Sequence, residues 1–238
     1  MSNVTATESP VTARRVRDAR SFRRVAAAVL LPIPALCIAV GSLIRPGYSA
    51  TDTASTLDAI AADSTAQRAF VWLGAIAMLT LVPAFIAAAR LARRRRPVLA
   101  TVAAGVNVAA YLGVALGFGS ADVYQEVAAR PEFDQAELAG YLDAVAAHGV
   151  SGLSVGLFVI GHIIGMILLG VALWRIIPRW ASVALIVSQP LHFVSFVILQ
   201  NRVLDSLSWG LSAVGLAVCS VVILSTPNDE WDLPPARA

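Results

Sequence analysis

VSGLSVGLFVIGHIIGMILLGVALWRIIPRWASVALIVSQPLHFVSFVIL, residues 150–199, reads as two apolar helices joined by a short turn. Each arm is about 20 residues long, enough to cross a hydrocarbon core of ~30 Å. The turn, Trp174-Arg175-Ile176-Ile177-Pro178-Arg179-Trp180, sets arginines between tryptophans, residue types suited to the membrane–water boundary. Each arm carries one histidine: His162 lies twelve residues before Trp174, and His192 twelve after Trp180. In an antiparallel hairpin the two share a height, roughly 18 Å from the tryptophan level at ~1.5 Å per residue. Ionisable groups at that depth are expensive and face a protein interior or cavity, so this is where a site is expected.

The rest of the chain extends the pattern. Of its 238 residues, 58% are hydrophobic and 14% charged, against roughly 25% charged in soluble domains. Apolar runs at 25–44, 69–91, 98–118, 150–173, 181–199 and 207–225 are six spans. The fold class is therefore all-α, a polytopic membrane helical bundle occupying residues 25–225. Residues 1–24 form a basic tail, expected to be disordered with its arginines against anionic headgroups. The proline-containing tail 226–238 is expected to be disordered as well. Pro32 and Pro34 should kink the first span, and Pro83 the second.

All eighteen basic residues are arginine. Fourteen fall in the N-terminal head, around 90–96, in the hairpin turn and in the C-terminal tail. Arg45, Arg68, Arg130 and Arg202 lie in the other loops. The positive-inside rule then places both termini in the cytoplasm of a bacterial plasma-membrane protein. Between two spans, Arg93-Arg94-Arg95-Arg96 reads as a topology signal, not a nucleic-acid site.

Two outer loops carry helix signals. Ser55-Thr56-Leu57-Asp58 has capping-box spacing, as do Asp134 and Glu137, so two short extracytoplasmic surface helices are expected. Leu138, Tyr141, Leu142 and Val145 recur at helical spacing and should face the protein or the interface. The acidic loop lacks the closely alternating oxygen ligands of a calcium site. Leu57-Asp58-Ala59-Ile60-Ala61-Ala62 recurs as Leu142-Asp143-Ala144-Val145-Ala146-Ala147. At that offset of 85 residues Asn107 aligns with His192, a trace of the internal repeats found in transporters.

On the fifth span Ser188, Gln189, His192 and Ser195 form one polar stripe. Asn107, eleven residues beyond Arg96, has a similar depth. Gly161, Gly165 and Gly152-xxx-Gly156 on the fourth span would let neighbouring backbones, or another protein's helix, approach closely. The candidate ligand-binding cluster is thus His162, His192, Asn107, Gln189, Ser188 and Ser195. Three readings stand. These groups hydrogen-bond between helices, at about 0.6–2 kcal/mol each; they bind or pass a small ligand, ion or proton; or the histidine pair ligates haem. The last requires a splayed hairpin, since packed helices lie only ~8–10 Å apart. Two histidines without nearby thiolate or carboxylate leave zinc short of ligands, so no metal and no cofactor is assigned. The reading leans away from an enzyme, with no catalytic residues: the spans contain no Asp or Glu to orient a base, and there is no Gly-x-Ser-x-Gly turn or P-loop.

Gly161-His162-Ile163-Ile164-Gly165, Ser188-Gln189-Pro190-Leu191-His192 and the turn Ile177-Pro178-Arg179-Trp180 resemble the hairpin of uncharacterised six-span membrane proteins of high-GC bacteria. The resemblance implies a fold and a compartment, with the lipid bilayer as partner. It implies no activity. A non-catalytic assembly subunit therefore remains the alternative to a ligand-binding protein.

Overall fold

The computed structural model describes residues 18–117 and 121–232, and among these the regular elements are all helical. The first span is α1 (Arg20–Leu30) followed by α2 (Ile33–Ile44), broken at Leu31 and Pro32. Pro32 and Pro34 lack the N–H groups that would carry the helix through. α1 starts at Arg20, so residues 20–24 are helical; the expected disorder upstream falls outside the described residues.

α3 (Thr53–Ala62) starts earlier than its expected box. Asp52 is the cap: its carboxylate accepts the Ser55 N–H at 2.7 Å, and the Ser55 hydroxyl accepts the Asp52 N–H at 3.4 Å. α4 (Ser64–Ala92) is a single 29-residue helix through Pro83. α5 (Pro97–Gly117) begins on a proline, whose missing N–H costs nothing in a first turn. α6 (Ala121–Ala128) lies in the acidic loop, ahead of the one helix expected there. α7 (Gln135–Ala146) is capped by Asp134, which accepts from the Ala136 and Glu137 N–H groups. α8 (Gly149–Ala172) is capped by the His148 ring. α9 (Arg179–Phe193) runs into a π-helical turn, Val194–Ile198. α10 (Arg202–Ser225) is capped by Asn201 and begins ahead of the span expected from 207. α11 (Asn228–Trp231) follows.

Six helical segments are long and apolar enough to cross a membrane: Arg20–Ile44, Ser64–Ala92, Pro97–Ala115, Gly149–Ala172, Arg179–Ile198 and Arg202–Ser225. The chain is a multi-pass membrane protein. Its spans close into a ring in which α2, α4, α5, α8, α9 and α10 each pack on the next, and α10 returns to α2. Successive spans alternate in direction, so all these neighbours are antiparallel.

Small residues set how closely the walls approach. A methyl added at Gly161 would lie 2.7 Å from the Ala110 side chain, and one at Gly165 2.6 Å from Asn107. α5 and α8 are therefore in backbone-level contact. Gly152 and Gly156 face open space instead. The expected close approach holds only for the half of α8 that carries Gly161 and Gly165.

The two ends differ. At one, the arginines hold residues 226–232 of the chain's own C-terminal segment, and the rest of the expected disordered tail, 233–238, lies outside the described residues. Arg90 pairs with Asp232 at 2.8 Å and Arg23 with Asp232 at 3.0 Å. Arg93 donates to the Trp231 carbonyl at 3.0 Å, and the buried Trp231 ring lies under the Arg90 guanidinium. A tryptophan among guanidiniums gains both burial and cation–π attraction, which a composition-based view of a polar tail misses. At the other end α3, α6 and α7 share a small core of Leu57, Ile60, Ala128, Ala129 and Ala139. Leu138 and Leu142 pack on it, whereas Tyr141 is 63% exposed.

Candidate functional site

Above its midplane the ring opens. A cavity of about 730 Å³ lies between α5, α8 and α9, with α6 and α7 at its mouth. Val155, Phe158, Val159 and His162 recur at one-turn spacing on α8, and Ser151 continues the same face to its start. From Ser151 to His162 is about 16 Å at ~1.5 Å per residue. The opposite wall is His192, Phe193, Phe196 and Val197, where the π turn widens the helix. Such turns occur frequently at functional sites. Leu142, Val145, Tyr124 and Gln125 come from the loop helices. At the rim Arg45 and Asp122 approach to 3.7 Å. Enclosure by protein pushes the Asp122 carboxyl up, with Arg45 pulling it back down.

The floor is a chain of rings that crosses the bundle. Tyr48 meets Phe196 at 5.6 Å between centroids, Phe196 stacks on His192 at 5.7 Å, and His192 meets His162 at 5.6 Å. His162 stacks on Phe158 at 4.3 Å, Phe158 meets Tyr111 at 5.5 Å, and Tyr111 meets Phe85 at 5.4 Å. Below lie the buried Met166, Leu169, Leu173 and Leu185. The cavity is a blind cup, closed on the arginine side by packed side chains.

Both histidines stand on that floor. His162 is 1% exposed; its Nδ1 lies 2.5 Å from the Phe158 carbonyl oxygen, and its Nε2 has no partner among the described residues. His192 Nδ1 contacts Asp205 Oδ1, and Trp209 Nε1 lies 3.1 Å from the same nitrogen. One ring nitrogen cannot donate and accept at once. The two contacts are therefore alternatives: with its hydrogen on Nδ1 the ring donates to Asp205 and the indole packs alongside, and with its hydrogen on Nε2 the ring accepts from the Trp209 N–H while the acid carries the shared proton.

Asp205 corrects the expectation that the spans lack an acid to orient a base. It is 1% exposed in the first turn of α10, whereas a span beginning at 207 leaves it in a loop. Asn201 as a cap, with Asp205, Ser208, Trp209 and Ser212 at helical spacing after it, is the sequence signal that finds it. Its place in the first turn sets the acid at the positive end of the α10 dipole. Tyr48 stands close by: burial first, and then the charge of Asp205, push its phenol up.

The other expected site residues lie elsewhere. Asn107 is fully buried against Gly165, below the cup, and donates to its own Ala103 carbonyl at 2.9 Å. Gln189 turns to α10, donating to the Ser212 hydroxyl at 2.9 Å. Ser188 bonds the Leu185 carbonyl within its own helix at 2.9 Å. Ser195 is buried in the π turn, its hydroxyl without a partner among the described residues. A helical stripe fixes a face only while the helix stays regular, and Pro190 with the π turn divides this one. A porphyrin between the imidazoles would have to displace Phe158, Phe196 and Trp209, which already pack on them. Among the described residues no three His, Cys, Asp or Glu converge as metal ligands.

No curated protein and no solved structure matches the chain. One family, described as a domain of unknown function, DUF4386, matches residues 25–226. With most of its length matched, and six membrane-spanning helices within it, the chain belongs to the DUF4386 family.

Proposed function

We propose that this protein binds a small, mainly apolar molecule in the cup and holds its polar end on the histidine floor. The observation that carries this reading is the continuity of the ~730 Å³ cavity with both imidazoles. Ligand sites in proteins are concave, mostly apolar and of about 300–1,000 Å³, with a few convergent polar groups. The packed layer below favours holding a ligand over conducting one. With the arginine-rich end in the cytoplasm of a bacterial plasma membrane, the mouth opens on the outer side.

Native mass spectrometry of protein released from its own membrane tests the reading. A small-molecule adduct is expected on the wild type and should vanish in Val159→Trp, which fills the cup beside Phe158. An adduct equally abundant in the filled variant would show that the molecule sits elsewhere.

A further inference from the structure

The protonation pattern of the floor selects the chemistry of what it receives, an inference that rests on the cup being a binding site. A backbone carbonyl can only accept, so the contact between His162 Nδ1 and the Phe158 oxygen places a hydrogen on Nδ1. No carboxylate among the described residues pairs with His162, which is almost wholly buried, so a charged ring would be uncompensated. A neutral imidazole with its hydrogen on Nδ1 leaves Nε2 as a bare acceptor, and that atom is the one without a partner. His192, set between Asp205 and the Trp209 indole, has its own partners. The unprotonated, unpartnered acceptor of the floor is His162 Nε2. An acid, not a base, stands behind His192, and among the described lining residues Arg45 is the cation, at the mouth beside Asp122.

We propose that the cup takes an elongated apolar molecule ending in a hydrogen-bond donor, a hydroxyl or a protonated amine, which His162 Nε2 receives. A carboxylate or an ether supplies no donor and would leave His162 Nε2 buried and unpaired, which disfavours it strongly. The phenylalanine walls accommodate either the alkyl chain or, for an ammonium group, a cation over their faces.

The test uses the full chain in phosphatidylcholine nanodiscs, with 1-decanol, decylammonium, decyl methyl ether and decanoate as probes. Thermal unfolding is followed for the wild type and for Val159→Trp, which reports what each probe does through the bilayer alone. Decanol, decylammonium or both should raise the wild-type midpoint above the filled variant's shift, while ether and decanoate should not. A response to decanol alone assigns a hydroxyl; one to decylammonium alone assigns a cation. His162→Phe keeps the ring packing and should weaken donor binding about tenfold, to the level of the ether, through loss of the accepting nitrogen. Equal shifts from ether and alcohol would overturn the donor rule and leave the cup standing. No difference between wild type and Val159→Trp for any probe would remove the cup itself. Nitrogen-15 spectra of histidine-labelled protein provide a ligand-free check, since a hydrogen found on His162 Nε2 would also overturn the proposal.

Discussion

Removing Asp205 is the sharpest test of how the floor is built. In Asp205→Ala His192 Nδ1 loses its hydrogen-bond partner, and a group 1% exposed on α10 is replaced by methyl. Hydrogen bonds to charged groups contribute about 1.5–3 kcal/mol in soluble proteins. Interhelical polar contacts in membranes average only ~0.6 and reach ~1.7 kcal/mol, because the unfolded reference also finds partners. Position decides between these ranges. Asp205 lies at a helix N-terminus, where the macrodipole adds up to about 1 kcal/mol for a carboxylate, and its partner is held between Phe196 and Trp209. A loss of about 2 kcal/mol is expected, read by reversible unfolding in mixed micelles with increasing dodecyl sulfate. Since Asp205 also faces Tyr48, the single value mixes two contacts. A double-mutant cycle with His192→Ala isolates the pair and should give a coupling of about 1–1.5 kcal/mol. Additivity within ~0.3 kcal/mol would mean that Asp205 does not hold His192.

Gly165→Ala should destabilise the protein by about 1–3 kcal/mol in the same assay, because the new methyl meets buried Asn107 at 2.6 Å; Gly156→Ala, with nothing within 4 Å, should be neutral or stabilising by up to ~1 kcal/mol. Trp231→Ala should release residues 226–232 to fast amide exchange while the spans stay protected, and unchanged protection of the amides of residues 228–232 would count against the docked tail. Cysteines placed at Ser64 or Asp134 should react with impermeant reagent from outside the cell and one at Arg94 should not; the reverse pattern inverts the proposed orientation. Desolvation raises the Asp122 carboxyl above its unfolded value, but 43% of the side chain meets solvent, so stability should increase only slightly as pH falls from neutral toward the ordinary carboxylate range. Asp122→Asn should flatten that part of the stability–pH curve.

Apolar runs long enough to cross a bilayer are a property of the chain alone, so the six spans, the all-α class and the shared depth of His162 and His192 are legible in the residues themselves. So are the Asp134 cap and the break at Pro32, since caps and prolines act on their own few residues. What lies beyond the sequence is azimuth and partnership. Asn107 and His192 match in depth, but only the packing of α5 on Gly165 decides that Asn107 sits beneath the cup. Gln189 belongs to the stripe of His192, yet it turns to Ser212 once the ring closes α9 against α10. Asp205 reads as a loop residue until the Asn201 cap brings it into α10 and the bundle sets it against His192. The cavity is the clearest case: its walls come from helices far apart in the chain, and the space between packed surfaces is a property of their distances, which only the tertiary fold sets.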